Sequence, residues 1–411
     1  MPTPESPLRQ AGLREHHLGL VMRQVAAAQR PPSRAEISAA TGLTRATVSA
    51  LVDELLVGRL LSEAAPVPRT GAGRPATGLA LAAHGPAGLG LEINVDYLAA
   101  CVVDLTGAVR HRAVLRADQR PHSPVEVLAR LGTLAEQTLA APDVAGLPIA
   151  GAALAVPGLV TRDGVVRLAP NLGWSDVDVP SALTATGAAL AGIPLTVDNE
   201  ANLAALGELH ARSGDLADFV YVSGEIGVGA GIVLDGRLFR GARGWSGELG
   251  HMAVRPDGPT CRCGARGCLE QYAGQEAILR SAGLAGQQLP PAVALQQIAQ
   301  LAADAQRSAD AQQPVRRALT AAASALGVVL AGVVNLLDVE TVVLGGIYAP
   351  LAPWLAPVVE AEIGRRVLTV GWSPVTVRAS VLGAEAAVTG AAGAVVRAVR
   401  DHPAPWLTGG Q

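Results

Sequence analysis

The densest chemistry in this sequence is one imidazole and three thiols within eighteen residues: His251, Cys261, Cys263 and Cys268. Three of the four cysteines lie in the run Cys-Arg-Cys-Gly-Ala-Arg-Gly-Cys. Three thiolates and an imidazole close a tetrahedron around zinc and leave no position for a catalytic water. Gly264 and Gly267 permit the tight loop such a knuckle needs. A disulfide is the competing use, but three thiols cannot pair evenly, and cysteines this few and clustered point to a reducing compartment. The spacing predicts a structural zinc site on these four residues. Cys101, alone in an apolar run, reads as core.

A second group of residues suits contact with DNA. The guanidinium of Arg45 can fork onto guanine O6 and N7, and the hydroxyls of Thr44, Thr47 and Ser49 suit phosphates or base edges. These residues need a recognition helix, and the flanking sequence predicts one. Residues 1–13 read as disordered. Leu18, Val21, Met22 and Val25 then recur at helical spacing up to Pro31-Pro32. Ser33 and Glu36 form a capping box for a short helix to about Ala40. Thr41-Gly42-Leu43 makes a turn, and Thr44 caps a third helix to about Val57. Ile37, Leu43, Val48, Leu51 and Leu55 supply the shared core. Leu60 to Leu81 reads as a hairpin whose tip carries Arg74 between Gly73 and Pro75, extended enough to enter a narrow minor groove. Together these elements make a winged helix-turn-helix over residues 1–84. The segment holds nine arginines against six carboxylates, about +3, whereas the chain as a whole is −3. A protein-docking unit is the bland alternative; the basic bias and the arginine at the wing tip favour DNA.

At 411 residues the chain exceeds one ordinary core. Aromatics are 3% of it, so Ala, Gly, Val and Leu must build close-packed helix-on-sheet layers. After Gly85-Pro86, strand patterns at Leu89–Val95, Leu98–Leu105 and Ile149–Val156 alternate with helices near 124–140 and at Glu200–His210. A glycine-rich ribbon follows over Phe219–Phe239, and Thr341–Leu344 reads as the last strand. This order predicts an α/β protein of two lobes. The first covers 85–198 and is rejoined by a helix at 383–399; the second covers 199–382 and carries the zinc loop. Leu319–Leu337 is apolar, but its polar interruptions and the strand after it indicate a buried helix. Met1–Gln10 lacks the apolar run of a leader, so the expectation is a cytoplasmic protein with no membrane partner.

Gly247-Glu248-Leu-Gly-His251, followed by Cys-x-Cys-Gly-x-x-Gly-Cys-Leu-Glu270, resembles the signature of the ROK family of sugar kinases and sugar-sensing repressors. Val197-Asp198-Asn199-Glu200-Ala201-Asn202, Ala169-Pro-Asn171-Leu-Gly-Trp174 and Val343-Leu-Gly345-Gly346 are similar to further family segments. The resemblance covers roughly residues 90–399. It implies an actin-like, ribonuclease-H-like sugar-kinase fold with a sugar in the cleft, bound by Asn199, Glu200, Glu248, His251 and Glu270. His251 would then use one ring nitrogen on zinc and the other on the sugar.

The chain departs from the kinases of that family at their phosphate loops. Where they carry Asp-x-Gly-Gly-Thr, it reads Glu92-Ile-Asn-Val-Asp96; where they carry Gly-Thr-Gly, it reads Glu225-Ile-Gly227. Both changes put a carboxylate beside a polyanion. The kinase base falls at Glu200, one methylene longer than aspartate. The resulting expectation is a non-enzymatic, sugar-responsive transcription regulator, a homodimer or homotetramer on a palindromic operator. A sugar kinase with an autoregulatory DNA-binding head is the alternative, and a partner-controlled regulator with a vestigial cleft is the third reading.

Overall fold

The computed structural model describes residues 10–64, 77–186, 190–211, 216–284, 298–300, 303 and 313–408. The head begins with α1 (Gln10–Ala27), α2 (Arg34–Thr41) and α3 (Arg45–Val57), followed by β1 (Leu61–Ala64) paired antiparallel with β2 (Gly78–Leu81). Ser33 Oγ accepts the Glu36 N–H while the Glu36 carboxylate accepts the Ser33 N–H, and these bonds with that from Arg30 hold Glu36 down at about 2. Leu18, Met22, Ile37, Val48, Leu55 and Leu79 bury completely or nearly so and fasten the three helices to the hairpin. The arrangement is a winged helix-turn-helix. Its wing tip, with Arg74, lies outside the described residues.

The chain between residues 10 and 13, expected to be disordered, is the first turn of α1. Long-range polar contacts reach the next turn: Arg14 pairs with Glu54, and the Glu15 carboxylate lies 3.3 Å from His402 Nδ1. Neither partner is visible from local sequence.

The body is one topology used twice. In the first sheet β3 (Ala87–Ile93) pairs antiparallel with β4 (Tyr97–Val103), which pairs with β5 (Val109–Arg116). On its other side β3 runs parallel to β6 (Ile149–Val156), and β6 to β10 (Leu195–Asn199). The second sheet repeats the scheme around β11 (Phe219–Gly224). Antiparallel β12 (Val228–Leu234) and β13 (Arg237–Phe239) lie on one side, and parallel β14 (Thr341–Gly346) and β15 (Thr376–Ala379) on the other. A small antiparallel sheet of β7 (Leu159–Val160), β8 (Val165–Ala169) and β9 (Trp174–Asp178) covers the end of the first sheet. This sheet and β15 lacked a clear alternating pattern because the strands are short and bounded by turn residues.

Helices fill the space around the sheets. These are α4 (Pro124–Leu139), α5 (Val179–Thr186), α6 (Glu200–Ala211), α7 (Glu270–Ala273), α8 (Gln275–Ser281), α9 (Gln313–Leu337), α10 (Tyr348–Gly364), α11 (Ala386–Asp401) and α12 (Ala404–Thr408). Among the described residues α9 alone is long and apolar enough to cross a membrane, but Ala322, Leu326 and Leu330 are buried in the core it shares with α10. It is a core helix.

Two helices lie between the sheets. α11 packs on β3, β4 and β6, α6 packs on β11 and β12, and the two pack on each other. They meet backbone to backbone: a Cβ on Gly207 would stand 2.7 Å from the Ala386 carbonyl oxygen, and one on Gly390 would strike the Leu203 carbonyl. Only glycine permits that approach. α11 also reaches the head, where a Cβ on Gly19 of α1 would lie 2.7 Å from the Asp401 oxygen. Cys101, Val103, Val396 and Val399 share the head's hydrophobic cluster, and Leu407 of α12 packs on Gly58. One helix thus touches the first sheet, α6 and the winged helix-turn-helix head.

Candidate functional site

The cleft between the sheets holds a cavity of about 190 Å³. Each predicted sugar residue lines it. Asn199 ends β10 and caps α6: its Oδ1 accepts from the Ala201 N–H at 2.8 Å, and its Nδ2 donates to the Gly158 carbonyl at 3.0 Å. One amide hydrogen remains for a ligand. Glu200 opens α6, and burial raises its pKa to about 8, with the charges of Glu248 and Glu92 adding to the effect. Glu248 and His251 sit on a tight turn, and Glu248 Oε2 lies 3.9 Å from His251 Nε2. Glu270 begins α7. Asn171, outside the predicted site set, reaches it from ninety-nine residues away, Nδ2 to Oε2 at 3.5 Å. Asn94 and Glu225 also line the cavity. The signal for Asn171 was its place in the Ala-Pro-Asn-Leu-Gly-Trp motif.

The donor atoms of His251, Cys261, Cys263 and Cys268 all lie within 4.8 Å of one another. Cys263 Sγ and Cys268 Sγ are 3.8 Å apart, and Cys261 Sγ is 3.9 Å from His251 Nδ1. A tetrahedral ion with metal–sulfur bonds of about 2.3 Å sets its ligands about 3.8 Å apart, so the four fit a closed tetrahedral metal site. Short antiparallel bridges, Ala253 to Cys268 and Thr260 to Arg266, hold the loop. Gly267 has a φ of 70°, and a side chain there would strike the Arg255 carbonyl. With Nδ1 turned to the thiols, His251 presents Nε2 toward Glu248 and the cavity.

Next to this cavity, sharing Glu200 and Glu225 with it, lies a second group of carboxyls on the segments that the resemblance aligns with phosphate loops. Glu92, Asp96, Glu200 and Glu225 come from both halves of the body. Burial raises all four above the usual carboxylate range, Glu92 to about 7, and the neighbouring acids raise Glu225 further. Glu92 Oε1 accepts from the Tyr97 hydroxyl at 2.6 Å. The space between Glu92, Glu200 and Glu225 is about 10 Å³, room for about one water.

On the head, Thr44, Arg45, Thr47 and Ser49 lie at the start of α3, outside its buried set of Val48, Leu51, Val52 and Leu55. Thr44 Oγ1 accepts the Thr47 N–H at 3.1 Å and lies 2.8 Å from the Thr47 hydroxyl, so part of its capacity is spent on capping. Arg45 is exposed and makes no ion pair among the described residues.

A duplicated α/β body with a polar cleft, preceded by a winged helix-turn-helix head, defines a two-lobed sugar-kinase fold with an added N-terminal module. The chain belongs to the ROK family, which it matches over residues 88–398. It is 33% identical over 258 residues to the xylose repressor of Bacillus subtilis, covering 61% of this chain and 64% of that repressor. It thus spans under two thirds of that relative's length. It is 31% identical over 265 residues to the N-acetylmannosamine kinase of Salmonella typhimurium, covering 63% of this chain and 82% of the kinase. The crystal structure of a ROK family transcriptional regulator, a homolog of the E. coli MLC protein, superposes with a TM-score of 0.78. It is 25% identical and covers 97% of this chain and 100% of that one. Relatives therefore include both repressors and kinases.

Proposed function

We propose that this protein is a sugar-responsive transcriptional repressor of carbohydrate-uptake or catabolism genes, acting in the cytoplasm as a homodimer or homotetramer on a palindromic operator. The observation that carries the reading is a chain of contacts: Glu200 in the cleft begins α6, α6 lies on α11, and α11 abuts α1 of the head. Resemblance to repressors along the body and to a regulator over nearly the whole chain supports it.

The residues supply each step. Carboxylates of Glu248 and Glu270 accept sugar hydroxyls in pairs, while Asn199 and His251 Nε2–H donate to ring or hydroxyl oxygens. His251 Nδ1 and the three thiolates would hold zinc, a structural ion that fixes the tautomer and angle of the imidazole. Sugar favours the lobe arrangement in which these groups converge. It moves the heads only to the extent that it binds one arrangement better than the other: a hundredfold change in operator affinity needs a coupling of about 2.7 kcal/mol. Arg45, Thr44, Thr47 and Ser49 meet DNA, and Arg74 extends the contact from the wing.

Kinase activity is disfavoured by Glu92, Asp96 and Glu225: the space beside Glu92, Glu200 and Glu225 is only about 10 Å³, and these side chains bring no cation to neutralise a polyphosphate. Family kinases make phosphoryl transfer the second reading. ADP release with MgATP and any of a broad monosaccharide panel would establish it.

The deciding experiment is fluorescence anisotropy on DNA from the gene's own upstream region, titrated with mono- and disaccharides. A salt-sensitive complex altered by one sugar, with the response lost in Glu248→Ala, is the expected result. Tight binding indifferent to every sugar would reject the cleft as the control site, and no binding at any salt would reject the repressor.

A further inference from the structure

A second cavity, of about 220 Å³, opens next to the sugar cleft. Asn171, Ile226 and Glu270 line both, so a single layer of side chains separates them. The polar part of that layer is the 3.5 Å Asn171–Glu270 contact, at the outer limit of a hydrogen bond and readily exchanged for ligand hydroxyls. The far walls carry Thr260 and Arg262 of the metal loop and Arg280 of α8.

The charges in this second cavity nearly balance. Glu276 is shared between Arg262 at 3.3 Å and Arg120 at 3.4 Å, whereas Arg280 makes no ion pair among the described residues. Glu270 and Glu276 would oppose a strongly anionic ligand. A neutral polyol suits the lining better: Arg280, Asn171 and Thr260 offer donors, and Glu270 accepts. The cavity also resembles the cleft in volume, as a second ring of similar size requires.

We propose that the second cavity takes the second ring of a disaccharide or short oligosaccharide whose terminal ring occupies the cleft, so the effector is larger than a monosaccharide. This rests on the cleft being the sugar site. Arg280 and Thr260 grip the second ring, and Asn171 and Glu270 turn from bonding each other to bonding the two rings on either side.

The test is calorimetry on the full-length, metal-loaded protein. Its probes are glucose, xylose, maltose, cellobiose, xylobiose and glucose 6-phosphate, each with the wild type and Arg280→Ala. One disaccharide should bind at least about tenfold tighter than its parent monosaccharide, about 1.4 kcal/mol. Arg280→Ala should cut that ratio to threefold or less. Monosaccharides that bind as tightly as every disaccharide would overturn the inference and leave the sugar cleft standing. A disaccharide preference unchanged in Arg280→Ala would overturn the placement of the second ring. If glucose 6-phosphate binds tighter than any disaccharide and loses this in Arg280→Ala, the cavity is an anion subsite instead. Absence of binding by every probe would overturn both this inference and the sugar-cleft reading.

Discussion

Gly207→Ala tests whether the α6–α11 contact carries the signal. The new Cβ would stand 2.7 Å from the Ala386 carbonyl oxygen and 3.0 Å from Gly390 Cα, where ordinary contact begins near 3.4 Å. The helices must therefore part locally by about 0.7 Å, and both neighbouring atoms are backbone, so no side chain can swing away. Overpacking of this kind costs about 1–3 kcal/mol. Replacing a helical glycine returns about 0.5–1 kcal/mol, leaving a net loss of roughly 1 kcal/mol. Gly132→Ala on α4 is the control, because nothing lies within 4 Å of its Cβ position. It should be neutral or slightly stabilising. The assay pairs thermal unfolding with operator anisotropy in the presence and absence of the effector, and with calorimetry of sugar binding. Gly207→Ala should melt a few degrees below Gly132→Ala. It should keep sugar and operator binding within about threefold, yet lose at least tenfold of the sugar-induced change in operator affinity. A lowered melting temperature with a full sugar response would refute transmission through this contact. Equal melting temperatures for the two variants would refute the packing argument itself.

Three other outcomes follow from the same geometry. Arg45→Ala should weaken operator binding about 10–100-fold and flatten the preference at one base pair, as loss of a bidentate guanine contact does; a change under twofold in anisotropy would remove Arg45 from the interface. Glu92 stands at about 7 in the fold against an ordinary 4.5, so the native state keeps a proton that the unfolded chain gives up between those values. Its contribution is fully present below about pH 4.5 and is lost as pH rises through 7, about 3 kcal/mol in all. Glu92→Gln should therefore gain on the wild type by up to that amount between pH 5 and pH 8 in urea unfolding, and a constant difference would contradict the buried-carboxyl account. Elemental analysis should find one zinc per chain, lost in Cys268→Ser together with at least tenfold in sugar affinity. Full sugar binding by a zinc-free protein would separate the metal loop from the cleft.

Features held by neighbours in the chain were legible in the residues. Ser33 with Glu36, Thr44 at the head of α3, and His251 with three thiols a few residues apart depend on hydrogen bonds and donor spacing within one turn or loop. The strands of the glycine-rich ribbon were legible too, because tight antiparallel pairing leaves its pattern in adjacent residues. Glu92, Asp96, Glu200 and Glu225 were visible as residue types, but the raising of all four carboxyls together by shared burial needed both halves of the body in place. Asn171 meets Glu270 across ninety-nine residues, and Gly207 meets Ala386 across more. The fit of α11 against sheet, cleft helix and head likewise depends on what packs where. Local propensity and spacing act over a few residues and are written in order along the chain. Close approach of distant backbones is set by the joint packing of whole sheets and helices, and no short stretch of sequence encodes it.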